Sequence, residues 1–176
     1  MKTIRFTLSV KSIKQAVKET RNFEAKLKEF CEVLAKKLAF EAVAEARALF
    51  AGYSMYPTDS ETLKNISCYP VRPGVWCVTS GTGQSWFFEY GTGPEGAKDP
   101  HPEGANYKSE GWVTKADGKD MATLYGWKPL TAADGSTVYY TEGQPAKPFM
   151  YGSRQHIQNR EVADRIMREA FKEVFG

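Results

Sequence analysis

The stretch FEAKLKEFCEVLAKKLAFEAVAEARALFAG, residues 23–52, decides the fold class. Phe23, Leu27, Phe30, Leu34, Leu38, Ala42, Ala46 and Leu49 recur at three or four residues with Lys and Glu between them, the spacing that lines apolar side chains along one stripe of an α-helix. Followed back towards the N-terminus, the pattern predicts one long amphipathic helix over residues 12–51, with a break near Arg21 and Asn22. Gly52 follows the last periodic residue and supplies the stop. Ahead of the helix, Ile4, Phe6, Leu8 and Val10 alternate with Arg5, Thr7 and Ser9, so residues 3–10 read as a half-buried strand.

Beyond residue 52 the period changes. Residues 65–71, 74–79 and 84–90 are three short β-rich runs separated by Arg72-Pro73-Gly74 and Gly81-Thr82-Gly83, which predicts an antiparallel meander. Residues 91–111 read as a Gly- and Pro-rich loop, of a length that is either functional or disordered. Weaker strand signals follow at 112–115, 123–127 and 137–141. The chain closes on a second helix over residues 148–175, with Val162, Ile166, Ala170, Phe171 and Val174 as its stripe. The expected fold is α+β: a single domain over residues 1–176 in which a long N-terminal helix and a C-terminal helix pack on an antiparallel β-sheet.

Composition excludes several classes. A chain of 176 residues with 41% hydrophobic and 13% aromatic side chains is too apolar to be disordered and long enough for a real core. The net charge of +3, from 24 basic and 21 acidic residues, is too small to define a polyanion-binding protein. The cations do cluster towards the start, where Lys2, Arg5, Lys11, Lys14, Lys18, Arg21, Lys26 and Lys28 outnumber Glu19 and Glu24. Such a basic arm could serve DNA, or be one solvated helix face. Cys31, Cys68 and Cys77 are odd in number and form no C-x-x-C pair, so buried thiols in a reducing compartment are expected. No signal-peptide pattern and no membrane-length apolar run occurs, and a soluble protein made in a cytoplasm is expected.

Chemistry-bearing motifs are weak. Gly91, Gly93 and Gly96 spell G-x-G-x-x-G, yet Asp99-Pro100-His101-Pro102 follows closely and opposes a long phosphate-binding helix. No Walker ending is present, and His101 and His156 lie far apart without a second ligand at metal spacing. His101 reads as a loop residue and His156 as a helix-surface residue. Neither a nucleophile elbow nor a Cys–His pairing stands out. No catalytic, cofactor-binding or metal-ligating residue is therefore assigned, and no cofactor is expected.

Two segments are more specific. One is Trp86-Phe87-Phe88-Glu89-Tyr90-Gly91-Thr92-Gly93. The other is Thr141-Glu142-Gly143-Gln144-Pro145-Ala146-Lys147-Pro148-Phe149-Met150-Tyr151. In this order after a long N-terminal helix, they resemble the tail-component family of minor structural proteins of long-tailed bacteriophages and of prophages of Gram-positive bacteria. His101-Pro102 and Gly111-Trp112 add to the likeness, while Tyr90 in place of Phe and the long segment 111–141 depart from it. The resemblance implies a non-enzymatic virion protein of the tail or neck. It would form a homo-oligomeric ring, a hexamer, in head–tail joining or tail completion, with itself and other tail or connector proteins as partners and neither membrane nor specific nucleic acid among them. Phe88, Glu89, Tyr90, Gly91, Gly93, Tyr107, Trp112, Gly143, Pro145 and Pro148 are the candidate assembly or motif residues. A hydrolase acting on cell wall or nucleic acid, and a DNA-binding protein using the basic arm, stay open as alternatives.

Overall fold

The computed structural model describes residues 9–53, 61–81, 85–104, 112–114 and 128–176, with the backbone alone at 112–114 and 128. Helix α1 spans Val10–Gly52, and a short α2 (Glu61–Asn65) leads into strands β1 (Ile66–Arg72) and β2 (Val75–Ser80). Helices α3 (Ser85–Tyr90) and α4 (Gly93–Lys98) follow, then strands β3 (Trp112–Thr114), β4 (Lys128–Thr131) and β5 (Thr137–Thr141). The chain ends in helices α5 (Phe149–Gln158) and α6 (Arg160–Phe175). This is the expected α+β class. Among the described residues, no helix is long and apolar enough to cross a membrane.

Several elements differ from expectation, each for a physical reason. Residues 3–8 of the expected first strand lie outside the described residues, and Val10 already belongs to α1. That helix does not break at Arg21 and Asn22. Neither residue is Gly or Pro, and the turns around them are bridged by Gln15–Glu19 at 2.8 Å and Lys28–Glu24 at 2.7 Å. The meander stops at β2, because residues 85–90 are helical. The second helix is two helices, interrupted at Asn159, whose extended backbone and side chain cap α6 by accepting from the Glu161 amide. The expected strand at 123–127 lies outside the described residues, whereas β4 begins at Lys128.

The chain divides into two compact units. The first is built from α1 up to Glu41, Cys68–Cys77 and Ile157–Gly176. Within it α6 runs against α1, burying Ile166, Ala170 and Val174. Arg165 pairs with Glu41 at 2.6 Å and Lys37 with Glu173 at 3.1 Å, while Lys26 Nζ donates to the Val174 carbonyl. Phe171 is not part of the buried stripe: it is 56% exposed, stacked on Phe175 and edge-on to Phe30. Phe23 and Leu27 are exposed as well. The expected burial of the thiols is not met: Cys31 is exposed, Cys68 and Cys77 are half-buried, and no disulfide joins them.

The second unit comprises Ala42–Ser67 and Val78–His156. Its core is Ala46, Phe50, Ile66 and Phe149, with Val43, Leu49, Tyr53, Leu63, Phe88 and Met150 packed around it. The Phe50 ring meets those of Phe149 and Phe88 edge-on at 5.1 and 5.5 Å, the geometry aromatic quadrupoles favour. Polar groups here are spent on backbone: Arg47 donates twice to the Ile66 carbonyl and Ser153 Oγ donates to that of Ala42. Strands β3, β5 and β4 form an antiparallel sheet in that order, with Trp112 opposite Thr141 and Leu130 opposite Val138.

Candidate functional site

The two motif segments meet. Residues 86–93 run from α3 through a two-residue link to the first residue of α4, and residues 141–151 form a strap from the end of β5 into α5. Thr92 and Gln144 exchange both backbone hydrogen bonds, at 2.9 and 3.0 Å, as an isolated antiparallel bridge. The Lys147 amide donates to the Phe88 carbonyl, that of Ala146 to Asp99 and that of Glu95 to Glu142. The approach is so close that side chains are barred at three points. A Cβ on Gly91 would lie 2.7 Å from the Ala146 nitrogen, one on Gly93 would strike the Glu142 carbonyl, and one on Gly143 the carbonyl of Thr92. All three glycines also have positive φ.

Close packing thus accounts for Gly91 and Gly93 of the G-x-G-x-x-G pattern, and a Cβ on Gly96 would lie 2.9 Å from the Gly91 carbonyl carbon. Contrary to expectation the glycines do open a helix, α4, with Pro94 in its first turn. It lasts six residues and ends before Asp99-Pro100. Its leading amides are already engaged, Glu95 by the Glu142 carbonyl and Gly96 by that of Thr92.

Glu89 is the centre of the junction. In the expected strand it would have alternated with Phe88 and Tyr90. In the helix it lies one turn from Ser85, and both are buried. Its Oε2 accepts from the Met150 amide at 2.9 Å and its Oε1 from the Tyr151 amide at 2.8 Å. These are the second and third amides of α5, which an N-cap side chain normally serves. Pro148, at the capping position, has no side-chain acceptor, and a carboxylate 61 residues away in sequence does the work.

His101, expected to be an ordinary loop residue, is 2% exposed. Its Nδ1 accepts from the Glu103 amide at 3.0 Å, so Nε2 carries the proton that faces Glu89 Oε1 at 3.3 Å. The imidazole lies 4.5 Å from the Tyr90 ring and 5.2 Å from that of Tyr151, and Arg154 of α5 ties down the Glu103 carboxylate at 3.0 Å. Both ring nitrogens and both Glu89 oxygens are thus committed within the protein, so the pair works as a clamp on the start of α5. Nearby, Tyr53 has its phenol pushed above the ordinary range, by burial first and by the Glu89 charge second. His156 lies half-exposed on α5, 4.0 Å from Glu45.

Of the candidate residues, Phe88, Glu89, Tyr90, Gly91, Gly93, Gly143, Pro145 and Pro148 all fall in this junction. Trp112 heads β3, with its backbone opposite Thr141, and Tyr107 and Gly111 lie outside the described residues. His101 and Tyr151 stand in the quoted motifs but not among the candidate residues; a lone His between two prolines carries no signal of what it will pack against. No family model, curated protein or solved structure compared with this chain matches it.

Proposed function

We propose that the chain is a non-enzymatic virion protein of a long-tailed bacteriophage or prophage, made in the host cytoplasm and assembled as one subunit of a ring at the head–tail junction or tail end. One observation supports this reading above the others. The two segments that carry the family resemblance, far apart in sequence, are the two halves of a single junction whose polar groups serve backbone and helix caps. A junction of that kind fixes the geometry of a scaffold, which is what a subunit acting by contact requires. A hexameric ring needs head-to-tail interfaces, since a single self-complementary patch closes only a dimer. Tyr107 and Trp112, aromatic side chains with few rotors to freeze, are the proposed contact residues of the segment after the junction.

The test is native mass spectrometry of the full chain, alone and with the tail-tube and connector proteins encoded beside it, together with deletion of its coding sequence from the phage. A six-fold species and heads without attached tails are expected. A chain that stays monomeric in every mixture, with infectious particles at normal titre from the deletion, would overturn the reading. The double substitution Tyr107→Ala and Trp112→Ala should reduce ring formation while leaving the fold intact.

A further inference from the structure

Helix α6 ends at Phe175 beside Phe23, and α1 extends for another three and a half turns or so towards Val10. On that extension Val10, Ile13 and Val17 follow one another at three and four residues, and so share a face. They are 71%, 42% and 45% exposed. Shallow grooves run along both sides of Ile13 and Val17. One is walled by Lys14, Lys18 and Arg21, the other by Ala16, Thr20 and again Arg21, and α1 alone lines both. Of the neighbouring carboxylates, Glu19 accepts from the neutral Gln15 amide, and Glu24 pairs with Lys28 while also feeling the Arg21 charge.

We propose that this face of α1 docks an acidic amphipathic helix of a different protein. Val10, Ile13, Val17 and Thr20 have the spacing of a coiled-coil seam, with Lys14 and Arg21 at one flank and Ala16 and Phe23 at the other. A second copy laid antiparallel would set Lys14 and Arg21 against their own counterparts. Laid parallel, it would offer them Ala16 and Phe23. Neither arrangement supplies a carboxylate. A polyanion without apolar groups would satisfy the cations and leave the stripe in water. A helix with aliphatic residues on its seam and Glu or Asp at its flank meets both requirements at once. The inference does not depend on the virion reading.

The probe is a labelled three-heptad peptide with Leu at the seam and Glu at the flanking positions, titrated with the full chain by fluorescence anisotropy; an otherwise identical peptide carries Lys at the flanks. The Glu peptide should bind about tenfold more tightly, and Lys14→Glu with Arg21→Glu should invert that order. Val17→Asp, at a position already exposed, should abolish binding of both while leaving the circular dichroism unchanged. Equal affinity for the two peptides, or affinity that none of these substitutions alters, would overturn the proposal. So would a dimer of the full chain that Val17→Asp dissociates, which would make the occupant a second copy. Tighter binding to phosphatidylglycerol vesicles than to the Glu peptide, lost in the same variants, would make it a membrane surface.

Discussion

Replacing Glu89 by Ala tests the junction most directly. The substitution strips the acceptor from the Met150 and Tyr151 amides and from His101 Nε2, at a residue that is 7% exposed. A hydrogen bond to a charged group contributes about 1.5–3 kcal/mol, and a buried donor left without a partner costs about 1–3 kcal/mol. Loss of a negative charge at a helix N-terminus adds about 0.3–1 kcal/mol. These contributions overlap, so the expected destabilisation is about 3–5 kcal/mol, the range seen when one member of a buried polar cluster is removed. Glu89→Gln keeps one oxygen for one amide but turns an N–H₂ group towards the other, and should cost roughly 1.5–3 kcal/mol. Urea denaturation followed by circular dichroism gives the total. Hydrogen exchange of residues 149–158 localises it, because amides freed of their cap exchange faster. If the Ala variant lies within about 0.5 kcal/mol of the parent, or exchange in α5 is unchanged, the capping argument is wrong.

Gly143→Ala should destabilise well beyond the cost of about 1–2 kcal/mol for a left-handed non-glycine residue, since its Cβ meets the Thr92 carbonyl; Gly135→Ala, with positive φ but open space around it, should show that basal cost alone. Ile166→Ala, at a 2% exposed site, is expected to cost about 2–5 kcal/mol, whereas Phe171→Ala, on the exposed ring cluster, should cost only about 1 kcal/mol, compared by thermal melts. Asn159→Ala should lose about 1 kcal/mol with its cap, read out as earlier fraying at the start of α6. In an ultraviolet titration against a Tyr53→Phe reference, the Tyr53 phenol should ionise above 10.0, and Glu89→Gln should lower that value without restoring it, burial being the larger cause. Because the folded value is the raised one, its contribution to stability is complete below the ordinary phenol pKa and is lost as pH climbs towards the folded value.

The parts legible in the sequence were those whose period is unambiguous. Eight apolar residues at helical spacing specify most of α1, and Arg72-Pro73-Gly74 marks the β1–β2 turn where Gly74 adopts positive φ. Residues 85–90 misled because aromatic side chains favour strands on propensity, and the deciding contact, Glu89 on α5, lies some 61 residues onward. Asn159 followed by Arg-Glu was a readable cap, and every residue of the expected stripe, Val162 to Val174, lies after it. Exposure was the least legible property. Phe23, Leu27 and Phe171 fit the stripe pattern as well as Ala42 and Ile166 do, yet the first three are exposed and the last two buried.

The junction also determines where the chain can change length. Backbone on both flanks of the segment between Gly104 and β5 is pinned, by His101 and Glu103 on one side and by the Thr92–Gln144 bridge on the other. Residues added in the exposed β4–β5 turn, 132–136, would leave those hydrogen bonds untouched and alter mainly the entropy of closing that turn, about 0.6 kcal/mol for each doubling of its length. A reporter peptide, an epitope or a whole foreign domain whose ends lie close together could be spliced in there at little thermodynamic expense. The same insertion within 141–148 would pull Gly143 out from under Thr92 and uncap α5.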